Sequence, residues 1–250
     1  MGLSTSSILL AAAKMAKAIQ PTNSLYARHL DIGSGHGDLI VLLREKQLVN
    51  HSEACDYTHT LMQLPDVEVH VADLNHQPLP FADQTFDLVT CTEVIEHLEH
   101  YRETLREIHR VLKPGGRLVL STPNILNLKS RIRFFVYGFY NLFGPLHARE
   151  SALHTTGGHI NPVSCFYLAH SLLDARFDDL RLSIDKKQGT SLFWLIWFYL
   201  PIRFFAQLTT RKEKSKYQTI DQHNEPYVQQ INSIDVLTGR TIVVGCTKAP

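Results

Sequence analysis

The chain reads as an α/β fold built on a parallel sheet with crossover helices. Three observations carry that reading. Short apolar strands alternate with amphipathic helices through the first half, a glycine turn joins the first strand to a helix, and successive strands end in acids.

In chain order, residues Ser4 to Ile19 form an Ala-rich helix without Gly or Pro, stopped by Pro21. A short strand from Arg28 runs into Gly33-Ser-Gly-His-Gly37 and then a helix reaching about Lys46. A second strand ends near Asp56, and a third, Val67 to Asp73, alternates in period two. Phe86 to Cys91 is a buried fourth strand. Arg102 to Leu112 is a helix with Leu105, Ile108, Val111 and Leu112 on one face. Lys113-Pro-Gly-Gly stops it, and Arg117 to Ser121 is a fifth strand. Further on, Pro162 to Ala175 reads as helix, with Leu180 to Asp185 and Thr241 to Thr247 as strands. More than 50 residues separate those last two strands, far beyond a hairpin loop, so residues 1–250 read as one domain carrying an insertion over 186–239.

Composition narrows the class. With 44% hydrophobic and 20% charged residues, the chain is neither disordered nor collagen-like. A net charge of +1 gives no global field for a nucleic-acid partner. Cys55, Cys91, Cys165 and Cys246 form no CxxC pair and read as reduced, buried thiols, which points to a cytoplasmic protein. The N-terminus lacks a signal-peptide pattern.

The glycine turn lets backbone approach a ligand at a helix N-terminus. Its third glycine comes one residue too early for the GxGxxG dinucleotide fingerprint, which speaks against a nicotinamide dehydrogenase. Asp31, before the turn, is placed to meet the amino group of a bound amino acid. Asp56 follows 25 positions later, near the spacing of a ribose-binding carboxylate, and Asp73 suits an adenine amino group. A solvated strand end explains any one of these acids equally well, but three in succession beside a glycine turn are harder to explain that way.

At this point the sequence resembles the class I S-adenosylmethionine-dependent methyltransferases, from about Arg28 to Asn124. The resemblance rests on Leu30-Asp-Ile-Gly-Ser-Gly-His-Gly, Ala72-Asp-Leu, Leu79-Pro-Phe-Ala-Asp-Gln-Thr-Phe-Asp-Leu-Val, Glu93-Val-Ile-Glu-His-Leu and Leu112-Lys-Pro-Gly-Gly-Arg-Leu. It implies a Rossmann-like, seven-stranded, mostly parallel sheet with helices on both faces and an antiparallel last strand. It also implies S-adenosylmethionine across the carboxyl ends of the first strands, held or faced by Asp31, Gly33, Ser34, Gly35, Asp56, Tyr57, Asp73, Leu74, Cys91 and Glu93. The stretch carrying Asp56 lacks the usual apolar strand residues, so Glu53 is a rival for the ribose contact.

Glu93, Glu96 and His97 lie three and four positions apart, on one face if the segment is a helical turn. In one reading they cap a helix and wall the cofactor site. In the other, Glu93, Glu96, His97 and a downstream histidine (His159, or His154) bind a divalent cation such as Mg²⁺ or Mn²⁺. The segment resembles metal-dependent small-RNA 2′-O-methyltransferases and ubiquinone-pathway O-methyltransferases, and Ser121-Thr-Pro-Asn124 resembles the small-RNA enzymes. Without metal, His97 or His159 is the candidate general base, with Glu93 beside the reacting centre.

The inserted run Leu192 to Ile202, followed by Arg203 and basic residues from Arg211 to Lys216, is too short for a membrane span and is interrupted by Pro201. It reads either as a lid with its apolar face against the core or as a peripheral membrane contact through 191–216. Lys129 to Tyr137 is a second basic-aromatic run, suited to phosphate or to an amphipathic helix. The expected function is O-directed methyl transfer to a hydrophobic, lipid- or saccharide-linked small-molecule acceptor. RNA methylation and a non-catalytic cofactor-binding subunit are the alternatives.

Overall fold

The computed structural model describes residues 5–21, 25–146 and 158–249. At its centre β4 (Phe86–Thr92) is buried along nearly its whole length, as a parallel strand covered on both faces must be. It stands between β1 (Tyr26–Ile32) and β5 (Leu112–Pro123), and β2 (Val49–Asp56) and β3 (Val69–Val71) extend the sheet beyond β1. On the other side β7 (Thr241–Lys248) is slotted between β5 and β6 (Phe177–Ile184). The seven strands run in the order β3-β2-β1-β4-β5-β7-β6. The first five are parallel, and β7 is antiparallel to both its neighbours. This is the Rossmann-like sheet that the resemblance implies.

Alternation along the strands feeds two cores. Leu118 and Leu120 join Leu105, Ile108 and Val111 of α3 (Tyr101–Val111) and Leu168 and Leu172 of α5 (Cys165–Asp174). Val119, Leu88 and Val243 face the other way, onto α1 (Ser6–Ala18) and α2 (Asp38–Glu45). Ala12, Ala13 and Ala16 allow α1 to lie close to the sheet. Among the described residues the four cysteines are free and buried.

The elements depart from the sequence expectation in three places. β3 is only three residues long, because its alternating stretch lies at the half-exposed sheet edge. β5 begins at Leu112, so Lys113-Pro-Gly-Gly lies within the strand, and a register irregularity opposite Phe86 and Leu88 absorbs it. The third concerns the insertion, which consists of α6 (Gly189–Lys212), a π-helical turn (Glu213–Tyr217), α7 (Glu225–Gln230) and α8 (Ile234–Thr238). α6 runs 24 residues straight through Pro201, twice the apolar length read from the sequence. Only Ser191 of it is buried, so the lid arrangement with an apolar face against the core does not form.

Asn124, at the end of β5, ties the insertion down. Its buried Nδ2 donates to the carbonyls of Val236 (2.7 Å) and Gly239 (2.9 Å), and its Oδ1 accepts from the Leu126 amide (2.9 Å). Replacing it leaves buried backbone groups without partners, each costing about 1–3 kcal/mol. Asn124→Ala is therefore expected to lose about 2–4 kcal/mol in urea unfolding. A loss below about 1 kcal/mol would contradict this anchoring role.

Candidate active site

The direction of sheet growth reverses between β1 and β4, and a cleft opens at their carboxyl ends, where such sheets bind ligands. It is lined from four strand ends. The β1 turn supplies Asp31, Gly33, Ser34, Gly35 and His36, and β2 supplies Asp56 and Tyr57. Asp73, Leu74 and Asn75 follow β3, while Thr92 ends β4 and Glu93, Val94, His97 and Leu98 follow it.

Gly33 is required at this turn. Its φ is +69°, and a Cβ there would stand 2.3 Å from Val94 Cγ2. Gly37, the early third glycine, has φ +87° and is packed under Leu64 and Met62, so its position serves loop packing. The Gly35 amide donates to Asp56 Oδ2 (3.0 Å), tying the turn to the end of β2.

Below the cleft lies a polar chain. Thr90 is the β4 neighbour of Asp31 and donates from Oγ1 to its Oδ1 (2.6 Å). His29 Nε2 lies 2.8 Å from the same hydroxyl and Nδ1 lies 3.1 Å from Ser52 Oγ. When Asp31 is ionised and accepts the Thr90 proton, His29 donates from Nε2 and accepts at Nδ1. Burial keeps His29 neutral, with its pKa lowered to about 3. Burial raises the Asp31 pKa to about 7, against the Thr90 hydrogen bond and with the help of nearby Asp56. In the ligand-free fold the Asp31 proton therefore stabilises below the ordinary value of 3.8, and that contribution is lost as pH rises to about 7. A cationic ligand group reverses this preference.

The turn after β4 is strained and heavily bonded. Glu93 has φ +56°, uncommon for a residue with a side chain. Its amide donates to the Ser121 carbonyl (3.1 Å), and its Oε1 accepts from Ser121 Oγ (2.9 Å). Burial raises its pKa to about 7, opposed by the Ser121 hydrogen bond and Arg240. Glu96 is fully buried, and its carbonyl accepts from the amides of Ile160 (2.8 Å) and Asn161 (3.0 Å). Burial first, then Glu93, pushes its carboxyl well above the carboxylate range. His97 Nδ1 donates to the Gly158 carbonyl (3.1 Å). The His159 ring packs edge-on against His97 at 4.6 Å. Ligand atoms of Glu96, His97 and His159 lie within 4.8 Å of one another.

Of the residues singled out in the sequence, Asp31, Gly33, Ser34, Gly35, Asp56, Tyr57, Asp73, Leu74, Glu93 and His97 line the cleft. Cys91 does not. Its side chain is in the apolar core with Ile32 and Leu120, and burial pushes the thiol far up. Glu53 is no rival to Asp56, because it pairs with Arg28 (2.5 Å) and lies 3.6 Å from His70. Glu93 is not grouped with Glu96, His97 and His159, because residues 95–97 form a tight 3-10 turn and Glu93 is left-handed, so no common helical face exists. His154 lies outside the described residues. The chain His29–Thr90–Asp31 is absent from the sequence reading, although His29 sits two positions before Asp31 on the same strand face.

Gly33→Ala is expected to lower the melting temperature by several degrees, since it combines a left-handed backbone with a clash. Gly33→Ala/Val94→Ala should recover the part due to the clash and retain the part due to φ. Strict additivity of the two substitutions would refute the close contact.

A family model described as a methyltransferase domain matches residues 8–177, more than half of the chain. A demethylmenaquinone methyltransferase of Listeria welshimeri is 30% identical over 133 residues, covering 48% of this chain and 56% of that protein. One of Lactiplantibacillus plantarum is 35% identical over 137 residues, covering 50% and 58%. The chain thus spans little more than half the length of these relatives. A SAM-dependent methyltransferase of Archaeoglobus fulgidus superposes with a TM-score of 0.57 at 18% identity, over 96% of this chain and 93% of that one. Phosphoethanolamine N-methyltransferase 2 of Haemonchus contortus, bound to S-adenosyl-L-methionine, gives 0.55 at 15% identity, over 96% and 53%. At those identities the likeness to solved structures is one of fold. With the family match and the cleft at the strand ends, the chain belongs to the class I S-adenosylmethionine-dependent methyltransferases.

Proposed function

We propose that this methyltransferase acts on an oxygen of a hydrophobic, lipid- or saccharide-linked acceptor. The observation that supports this most is the position of His97 at the cleft, its ring oriented by the Nδ1 bond to Gly158 and packed against His159. S-adenosylmethionine supplies an electrophilic methyl group on a sulfonium. Asp31, buried and short of a cationic partner, suits its ammonium group, Asp56 its ribose hydroxyls, and Asp73 with Leu74 its adenine. His97 accepts the acceptor's proton, and Glu93 borders the same end of the cleft. Since the displacement is in line, positioning and exclusion of water by Val94 and Leu98 account for much of the remaining barrier. The Listeria and Lactiplantibacillus relatives are named for demethylmenaquinone, a quinone, which agrees with a hydrophobic acceptor.

A divalent cation is part of the proposal. Glu96, His97 and His159 offer one carboxylate and two imidazoles, a set suited to Mg²⁺ or Mn²⁺ with waters completing the shell. Glu96 Oε1 and His159 Nδ1 are buried without a hydrogen-bond partner among the described residues, which fits ligand atoms. Such an ion would lower the pKa of an acceptor hydroxyl and take over the base's task.

Calorimetric titration with S-adenosylhomocysteine tests the cofactor assignment. Binding is expected to be lost in Asp56→Ala. Since Asp31 must be ionised to attract an ammonium group, affinity should fall by up to about tenfold per pH unit below about 7. A flat profile between pH 6 and 8 would remove Asp31 from that role. His159→Ala should keep cofactor binding and lose any stimulation of methyl transfer by Mn²⁺. Equal stimulation in variant and parent would dismiss the cation site.

A further inference from the structure

α6 presents its apolar residues to the outside. Phe193, Ile196, Trp197, Leu200, Phe204 and Leu208 recur at offsets of 3, 4, 7, 11 and 15 and are each 47–77% exposed. The half-covered positions Leu195, Ile202 and Ala206 are on the opposite side, and Trp194 is on the flank between them. An amphipathic helix of a water-soluble surface turns polar residues to the solvent, which this helix does not. α4 (Leu128–Tyr137) packs against α6 and continues the patch with Phe135, Val136 and Tyr137, exposed by 88%, 72% and 58%. So much contiguous apolar surface marks an interaction site.

Charge indicates the occupant. Residues 189–217 contain Arg203, Arg211, Lys212, Lys214 and Lys216 against the single acid Glu213, in a chain whose total net charge is +1. Residues 124–146 contain no acid and add Lys129 and Arg133, while Arg131 is bonded inward to Leu126, Ile231 and Asn232. Basic side chains flanking exposed tryptophan, phenylalanine and leucine match an anionic lipid surface. RNA is less well matched, because Ile196 and Leu200 offer neither a stacking plane nor a polar group.

Length alone would allow α6 to cross a bilayer. The connectivity forbids it. At its start the Gln188 amide donates to the Thr238 carbonyl (2.8 Å), and Lys187 bridges Gly239. Beyond its end Lys214 pairs with Glu225 of α7 (2.5 Å), and Arg131 of α4 donates to Asn232 (2.9 Å) and the Ile231 carbonyl (2.8 Å). Both ends are therefore bonded into one body, and a single crossing would set them about 30 Å apart across hydrocarbon.

We propose that the α4–α6 face is a monotopic docking surface for an anionic bilayer, with α6 lying in the headgroup plane. The surface is linked to the active site by packing: exposed Leu142 flanks buried Phe143, whose ring lies 5.3 Å from His159, and His159 packs on His97 at the cleft. In this proposal a lipid-linked acceptor approaches the base from the membrane side. That last step rests on the acceptor class proposed above, whereas docking itself does not.

The chain's two tryptophans, Trp194 and Trp197, are both on α6, so tryptophan emission reports on this helix alone. With phosphatidylglycerol/phosphatidylcholine vesicles the emission should shift to the blue, brominated acyl chains should quench it, and the protein should pellet with the lipid. Phosphatidylcholine alone or high salt should weaken binding. Leu200→Glu/Phe204→Glu should weaken it by at least about tenfold. S-adenosylhomocysteine affinity should be unchanged in that variant, which shows that it is folded and separates failure of docking from failure of the enzyme assignment. Three outcomes would overturn the proposal: no response to either vesicle, a dimer that shields the tryptophans and ignores lipid, or RNA binding without lipid binding.

Discussion

Asp31 brings a carboxyl into the interior at the end of a buried parallel strand, and the organisation of the cleft follows from how the fold accommodates it. Thr90, its partner in register on β4, supplies one hydrogen bond. His29 and Ser52 complete a chain that orients Thr90. The acid stays costly to ionise without a cation beside it, and Asp56 across the glycine turn adds to that cost. A cleft with this electrostatic character is suited to a positively charged ligand before any shape matching is considered.

The turn after β4 links the cleft to the rest of the chain. Its left-handed Glu93 is held by Ser121 of β5, and Glu96 and His97 are held by Gly158, Ile160 and Asn161. Three segments far apart in sequence thus meet within one turn of the reacting centre. The strain at Glu93 persists because these bonds over-determine it. The same turn presents the only grouping of potential metal ligands found among the described residues.

On the α4–α6 side α6 is only half-covered by the protein, at positions such as Leu195, Ile202 and Ala206, and a stripe of aromatic and aliphatic side chains faces outward. A helix apolar all round needs either a protein interior or a lipid phase, and here the protein interior does not receive it. Phe143 and His159 pack between the loop after α4 and His97 at the cleft.

Local signals determined the alternating elements, the glycine turn and the acids at the strand ends. These depend on period, turn chemistry and residue type within short windows, and together they picked out residues from Asp31 to Leu74 that line the cleft. Tertiary structure decided which side of a strand or turn each neighbour faces. Cys91 is one residue from the cleft yet lies in the core, and Glu53, an acid on the same strand as Asp56, serves Arg28. The sequence placed Glu93 on a common face with Glu96 and His97, but a backbone sign change at Glu93 separates them. The orientation of α6 was also beyond the sequence. A helix apolar on every side has no preferred face of its own, so its outward stripe is set only by what α4 and α8 leave uncovered.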